Sequence, residues 1–182
     1  KLTWTFHIND KVKFSNGDKL TAEIAKESLE RTFKLSNRAQ SIFQYAEIKA
    51  DGQNLIIKTK NPTPSLPGML ADPLFIIIDT KVKDRDIKKQ GPICTGPYAV
   101  KTYSKAKAVM VANPNYWDGA VPFKNAEIPT IDDPNTRAMA LQKGEIDFAI
   151  NIAAGDLQLF KDKSKYNISV IASLRTVLAQ IN

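Results

Sequence analysis

One histidine and one cysteine set the chemical limits of this 182-residue chain. A serine-histidine-acid arrangement needs an imidazole to take the serine proton. The one candidate base, His7, lies in the alternating run Trp4-Thr5-Phe6-His7-Ile8, which predicts a strand with Trp4, Phe6 and Ile8 on one face and His7 on the other. His7 is therefore expected at the surface. Cys94 alone supports neither an internal disulfide nor a multi-cysteine metal site, and a free, partly buried thiol serves as a small hydrophobe. Acid pairs occur at Asp132/Asp133 and Glu145/Asp147. A glycosidase needs two facing carboxylates, whereas the first pair has the form of a helix cap and the second shares the outward face of a predicted strand. The sequence contains no G-x-x-x-x-G-K-S/T, G-x-G-x-x-G, G-x-S-x-G or H-E-x-x-H motif and no EF-hand loop. The expectation is a protein that is not an enzyme and holds no cofactor and no metal centre.

The net charge of +7 raises nucleic acid or an anionic membrane as partners. The lysines are scattered, however, and often alternate with apolar residues as strand exteriors do. The densest basic stretch, Lys81 to Lys89, is interrupted by Asp84 and Asp86. A solvated lysine-rich surface is the better account, and no nucleic-acid partner is expected. No apolar run approaches the roughly 20 residues of a membrane span. The chain starts at Lys1, inside what reads as strand sequence, and ends on the apolar alternation Thr176 to Ile181. A piece of a longer protein is expected, so missing targeting signals mean little.

The elements that must position any site follow from local signals. Thr21 is an N-cap for a helix to about Leu35, with Ala22, Ala25, Leu29 and Phe33 on one face and Glu27–Arg31 and Glu30–Lys34 pairs outside. Ser36 to Gln40 is expected to break that helix. Glu47 to Ala50, Asp51-Gly52 and Leu55 to Thr59 predict a hairpin. Ser65 is a candidate cap for a short helix from Leu66 to Ala71, and the apolar run Leu74 to Ile78 predicts a strand buried on both faces. Two glycines and two prolines in Gly91 to Tyr98 predict a tight turn feeding two strands, Tyr98 to Tyr103 and Ala108 to Asn113. Glu127 to Ile131 is a further strand. Asp132 or Asp133 caps a helix with Pro134 at its first position and Gly144 just past its end. Glu145 to Ile150, Tyr166 to Ile171 and Thr176 to Ile181 read as strands, with a short helix from Gly155 to about Lys163. The result is a mixed-sheet α/β (α+β) chain dividing at 90/91, into an N-terminal α+β half (1–90) and a mixed-sheet half (91–182).

Five motifs go beyond composition. The opening Trp4 to Ile8, with Val12-Lys13-Phe14-Ser15-Asn16-Gly17-Asp18 and Leu20-Thr21-Ala22-Glu23, is the first. Gly91 to Tyr98, Asn113-Pro114-Asn115-Tyr116-Trp117, Ile131 to Ala138 and Leu141 to Asp147 follow in order. Together they resemble the peptide/nickel class (family 5) of extracytoplasmic solute-binding proteins that serve ABC importers. The resemblance implies part of the larger lobe of a type II periplasmic-binding-protein-like fold, in a two-lobed receptor that closes on a small solute and delivers it to a membrane permease. It also implies an extracytoplasmic location, periplasmic or lipid-anchored, and weak solute binding by this piece alone. The nickel receptors are the most similar, especially around Val12 to Asp18; they hold nickel as a small carboxylate chelate through arginines and aromatics. On that pattern Arg38 would contact a carboxylate, Ser41 stands where an aromatic is expected, and Asp72, before Pro73, stands where a second arginine would. Cys94 replaces the usual glycine of its turn, and Tyr98, which ends that motif, completes the ligand-binding candidates. An oligopeptide receptor of the same class, with a larger cleft, is the alternative; a small hydrolase is the alternative from another class.

Overall fold

Thr21 does what its position predicts: its hydroxyl accepts the Ile24 N–H at 3.3 Å and starts helix α1, Ala22–Leu35. The computed structural model describes residues 1–171, so the strand expected at Thr176 to Ile181 lies outside the described residues. The chain forms two units, Lys1–Pro129 and Thr130–Asn182. In the first unit the order is β1 (Thr3–His7), α1, α2 (Asn37–Ile42), β2 (Tyr45–Asp51), β3 (Asn54–Thr59), α3 (Leu66–Leu70), a 3-10 turn (Pro73–Phe75), α4 (Ile87–Gln90), β4 (Tyr98–Tyr103), β5 (Lys107–Ala112) and β6 (Asn125–Pro129). The second unit has α5 (Pro134–Lys143) and a 3-10 helix (Ala154–Phe160).

Two antiparallel sheets result, ordered β1-β3-β2 and β4-β5-β6. In the first, Trp4 faces Ile57, Phe6 faces Leu55 and Ile48 faces Ile57. The face these residues form takes the apolar side of α1, where Ala22, Ala25, Leu29 and Phe33 are buried, as their helical spacing predicts. Phe33 is the centre of an aromatic cluster, with ring centroids 5.0 Å from Phe43, 4.7 Å from Tyr45 and 5.6 Å from Phe75. Each such side chain contributes about 1.5–3 kcal/mol through burial, so this cluster is the energetic centre of the unit. The division expected at 90/91 falls between the two sheets, inside the first unit.

Several elements differ from expectation, each for a local reason. Ser36 does not end helical structure: its N–H closes α1 on Thr32 O and its side chain accepts the Ala39 N–H, starting α2 at once. The outer face of α1 carries a Glu23–Lys26 pair at 3.0 Å, while Glu27 accepts the hydroxyl of Thr80 rather than meeting Arg31. Ser65 makes no capping bond; its hydroxyl points at Met69 Sδ.

Leu74 to Ile78 is not a strand. Asp72 accepts the Leu74 N–H and Pro73 supplies a fixed φ, so the run opens as a 3-10 turn. Its later backbone groups are met by a side chain: buried Ser28 accepts the Ile78 N–H at 3.0 Å and donates to Ile76 O at 3.4 Å. Replacing Ser28 by alanine strands a buried donor, and the expected loss of about 1–3 kcal/mol is read from the urea unfolding midpoint. An unchanged midpoint would remove Ser28 from this role.

In the second unit, Asp133 is the cap, accepting the Thr136 N–H at 2.7 Å; Pro134 opens α5 and Gly144 ends it at φ 74°. Those hydrogen bonds hold the Asp133 carboxyl below the usual carboxylate range. The alternating segments Glu145 to Ile150 and Tyr166 to Ile171 are not strands. Alternation makes a residue suited to a sheet but supplies no ladder partner, and Phe148 and Ile150 are 78% and 63% exposed. The backbone after α5 is instead fixed by Arg137, whose Nη1 donates to Ile131 O at 2.6 Å and whose Nη2 donates to Asn151 O at 2.8 Å.

Candidate functional site

Because Ser36 restarts the helix at once, α2 is short and places Arg38, Gln40 and Ser41 within one and a half turns. Gln40 Nε2 donates back to Phe33 O at 3.0 Å, and Ser41 Oγ donates to Arg38 O at 2.8 Å, which fixes the helix against the core. Opposite α2 runs Asn61-Pro62-Thr63-Pro64-Ser65. Its two prolines stiffen the backbone, and Thr63 O is held by the indole N–H of Trp4 at 3.1 Å. Between them lies a groove of about 390 Å³, lined on one side by Gln40 to Gln44 and on the other by Asn61 to Ser65, with Met69 at its end.

Of the four candidate residues only Ser41 lines this groove, while Arg38 and Asp72 pair with each other and are not among its lining residues. Arg38 Nη2 donates to Asp72 Oδ2 at 2.8 Å, and the other oxygen of Asp72 accepts the Leu74 N–H at 2.9 Å. Asp72 is thus anchored at both oxygens. Ser41 lines the groove and is tied to the Arg38 carbonyl. Tyr98 starts β4 opposite Ala112, on the other sheet, so it does not join the cluster.

In the Arg38–Asp72 pair the arginine is exposed, at 67%, and the carboxylate is half-buried, at 27%. Exposed ion pairs contribute little, about 0–1 kcal/mol. The Arg38 guanidinium keeps further N–H donors for an incoming carboxylate, or can exchange Asp72 for one at small cost. Charge at the pair is balanced, since an acid rather than a second arginine faces Arg38.

Other chemistry-bearing residues are accounted for. His7 lies on the exposed edge of β1, 3.1 Å from Asn54 Oδ1. Among the described residues no group of three or more histidine, cysteine or acidic side chains could hold a metal ion. Burial pushes the Cys94 thiol up to about 11, against a smaller opposing pull from Arg85. A thiol held at about 11 in place of the usual 9.0 presents about 100-fold less thiolate at neutral pH. A higher-pKa thiolate is also the more nucleophilic one, which offsets about half of that on a log scale, so labelling by a disulfide reagent is expected to be about tenfold slower than for a small free thiol; labelling at the free-thiol rate would contradict the burial.

Sequence reasoning did not identify the far wall of the groove. Asn61-Pro62-Thr63-Pro64 carries no chemical motif, although two prolines flanking a threonine are a signal for a stiff exposed backbone.

All 182 residues match the model of the bacterial extracellular solute-binding proteins, family 5 Middle. The chain is 32% identical over 181 residues to the nickel-binding protein NikA of Staphylococcus aureus, covering 99% of this chain and 36% of that protein. It is 28% identical over 213 residues to a dipeptide-binding protein of Lactococcus lactis, covering 100% of this chain and 38% of that one. Among solved structures, NikA of Staphylococcus aureus in complex with Ni(L-His)2 superposes with a TM-score of 0.74 at 34% identity, over 79% of this chain and 31% of that one. A nickel ABC transporter structure from Bacillus halodurans gives a TM-score of 0.81 at 30% identity, over 89% and 34% of the two chains. The chain spans about a third of the length of the relatives it matches. The mixed α/β fold expected from the resemblance, part of the larger lobe of a type II binding protein, is the fold it shares with them.

Proposed function

The chain belongs to the bacterial extracellular solute-binding proteins of family 5, and on that premise we propose that it is part of a receptor that captures nickel as a small chelate for an ABC permease. The receptor works outside the cytoplasm, free in the periplasm or held by a lipid anchor. It catalyses no reaction. The observation that carries the nickel reading is the identity of 30–34% to nickel-binding relatives whose folds superpose at TM-scores of 0.74 and 0.81. Arg38 is the residue expected to meet a chelate carboxylate, with Ser41, Asp72 and Tyr98 as the other candidate contacts.

A second reading, an oligopeptide receptor, is favoured by a different observation. Asp72 balances Arg38 at 2.8 Å, so the pair offers a donor and an acceptor together. That suits a zwitterionic peptide, whose ammonium and carboxylate need one of each.

Thermal shift of the full-length receptor separates the two, because a ligand that binds only the folded state raises the melting temperature by mass action. A rise with nickel plus L-histidine, and none with dipeptides, is the expected result. A rise with dipeptides alone would replace the nickel reading by the peptide one. In the nickel case, Arg38→Ala is expected to weaken binding about 10- to 100-fold, the loss of a charge-assisted hydrogen bond, measured by titration calorimetry.

A further inference from the structure

Asn16-Gly17 is the one Asn-Gly pair in the sequence. It sits where several loops of the first unit meet. The Ser15 N–H donates to Cys94 O at 2.9 Å, and Asn115 Nδ2 donates to Ser15 O at 3.3 Å. The Asp79 N–H donates to Ile93 O at 2.9 Å. Asn16 is the side chain that joins this turn to Asp79. Its Nδ2 donates to Asp79 Oδ2 at 2.8 Å and to Asp18 Oδ2 at 3.0 Å, while its Oδ1 accepts the Asp18 N–H at 3.1 Å. Asp79 is only 6% exposed, and its other oxygen accepts the Lys81 N–H at 3.0 Å. A neutral carboxamide with two donors is therefore what lets an exposed and a buried carboxylate share this junction.

We propose that Asn16 is a deamidation site that the native fold holds closed, and whose conversion unties this junction. In the reaction the Gly17 nitrogen loses its proton and bonds to Asn16 Cγ, and ammonia leaves with Nδ2. The resulting succinimide takes up one water at either carbonyl, giving aspartate or isoaspartate and restoring the Gly17 N–H. Glycine offers that nitrogen without a Cβ in the way, which is why this dipeptide is the reactive one. The folded turn opposes each part of the step. The Gly17 N–H is engaged with Phe14 O at 2.9 Å, and three hydrogen bonds fix the carboxamide plane. Once converted, residue 16 carries a carboxylate toward Asp18 and Asp79 in place of two donated hydrogen bonds. Like charges then crowd a buried acid that has lost the donor to its Oδ2.

The test compares the intact chain with and without denaturing urea in mildly alkaline buffer, following the amide-to-acid mass increase of the peptide that contains Asn16. Conversion at least about tenfold slower in the native chain is expected, because reaction must wait for local opening; equal rates in the two states would overturn the proposal. The variant Asn16→Asp is expected to melt at a lower temperature than the parent, and adding Asp79→Asn to it to recover part of the loss by removing the facing charge. A parent-like melting temperature for Asn16→Asp, or no recovery in the double variant, would overturn the untying.

Discussion

Replacing Phe33 by alanine is expected to cost about 3–5 kcal/mol, the range for truncating a buried phenylalanine when its surroundings collapse only in part. Phe33 is 5% exposed, and three other aromatic rings lie within 5.6 Å of its centroid. Those rings come from β2, from the segment after α2 and from the 3-10 turn, so they cannot move together into the space. A domain's stability is only about 5–15 kcal/mol, so the alanine variant should lose a large share of it and melt well below the parent. Phe33→Leu keeps most of the volume and gives a measurable intermediate. Urea unfolding followed by circular dichroism decides the matter: a cost below about 1 kcal/mol for the alanine variant would mean that this cluster is not the centre of the unit.

The second large effect concerns Gly91. Its backbone has φ 69° and ψ 167°, a region open to glycine and to almost nothing else. A Cβ there would lie 2.7 Å from Val100 Cγ1 and 3.2 Å from Val100 Cβ. Gly91→Ala is expected to cost about 1–3 kcal/mol for the backbone alone, plus the displacement of Val100 from the start of β4. The two parts can be separated. Adding Val100→Ala should recover the part due to the γ-methyls and leave the Cβ contact and the backbone share, as a double-mutant cycle would read out. Full recovery would mean that the conformation itself carries no strain.

Much of this architecture is legible because its signals are local. Thr21, Asp133, Pro134 and Gly144 act within a turn of themselves, so the bounds of α1 and α5 follow from a few neighbouring residues. The Asp51-Gly52 turn likewise fixes the β2–β3 hairpin. Legibility ends where a backbone group finds its partner far along the chain. Leu74 to Ile78 has the composition of a strand, yet the Ile78 N–H is met by Ser28, 50 residues away. Glu145 to Ile150 has the alternation but, among the described residues, no ladder to join. The candidate site divides in the same way. Arg38 and Asp72 are each singled out by the resemblance alone, but their pairing spans 34 positions and depends on Ser36 restarting the helix. The wall from Asn61 to Ser65 acquires meaning only once α2 stands across from it.

The thiol of Cys94 bears on the extracytoplasmic setting proposed for the receptor. Outside the cytoplasm oxidants and disulfide exchange threaten any unpaired cysteine, and the thiolate is the species they attack. With its proton held up to about pH 11 by desolvation, Cys94 is a poor nucleophile. A second copy of the chain meeting this one finds little thiolate there to begin a disulfide.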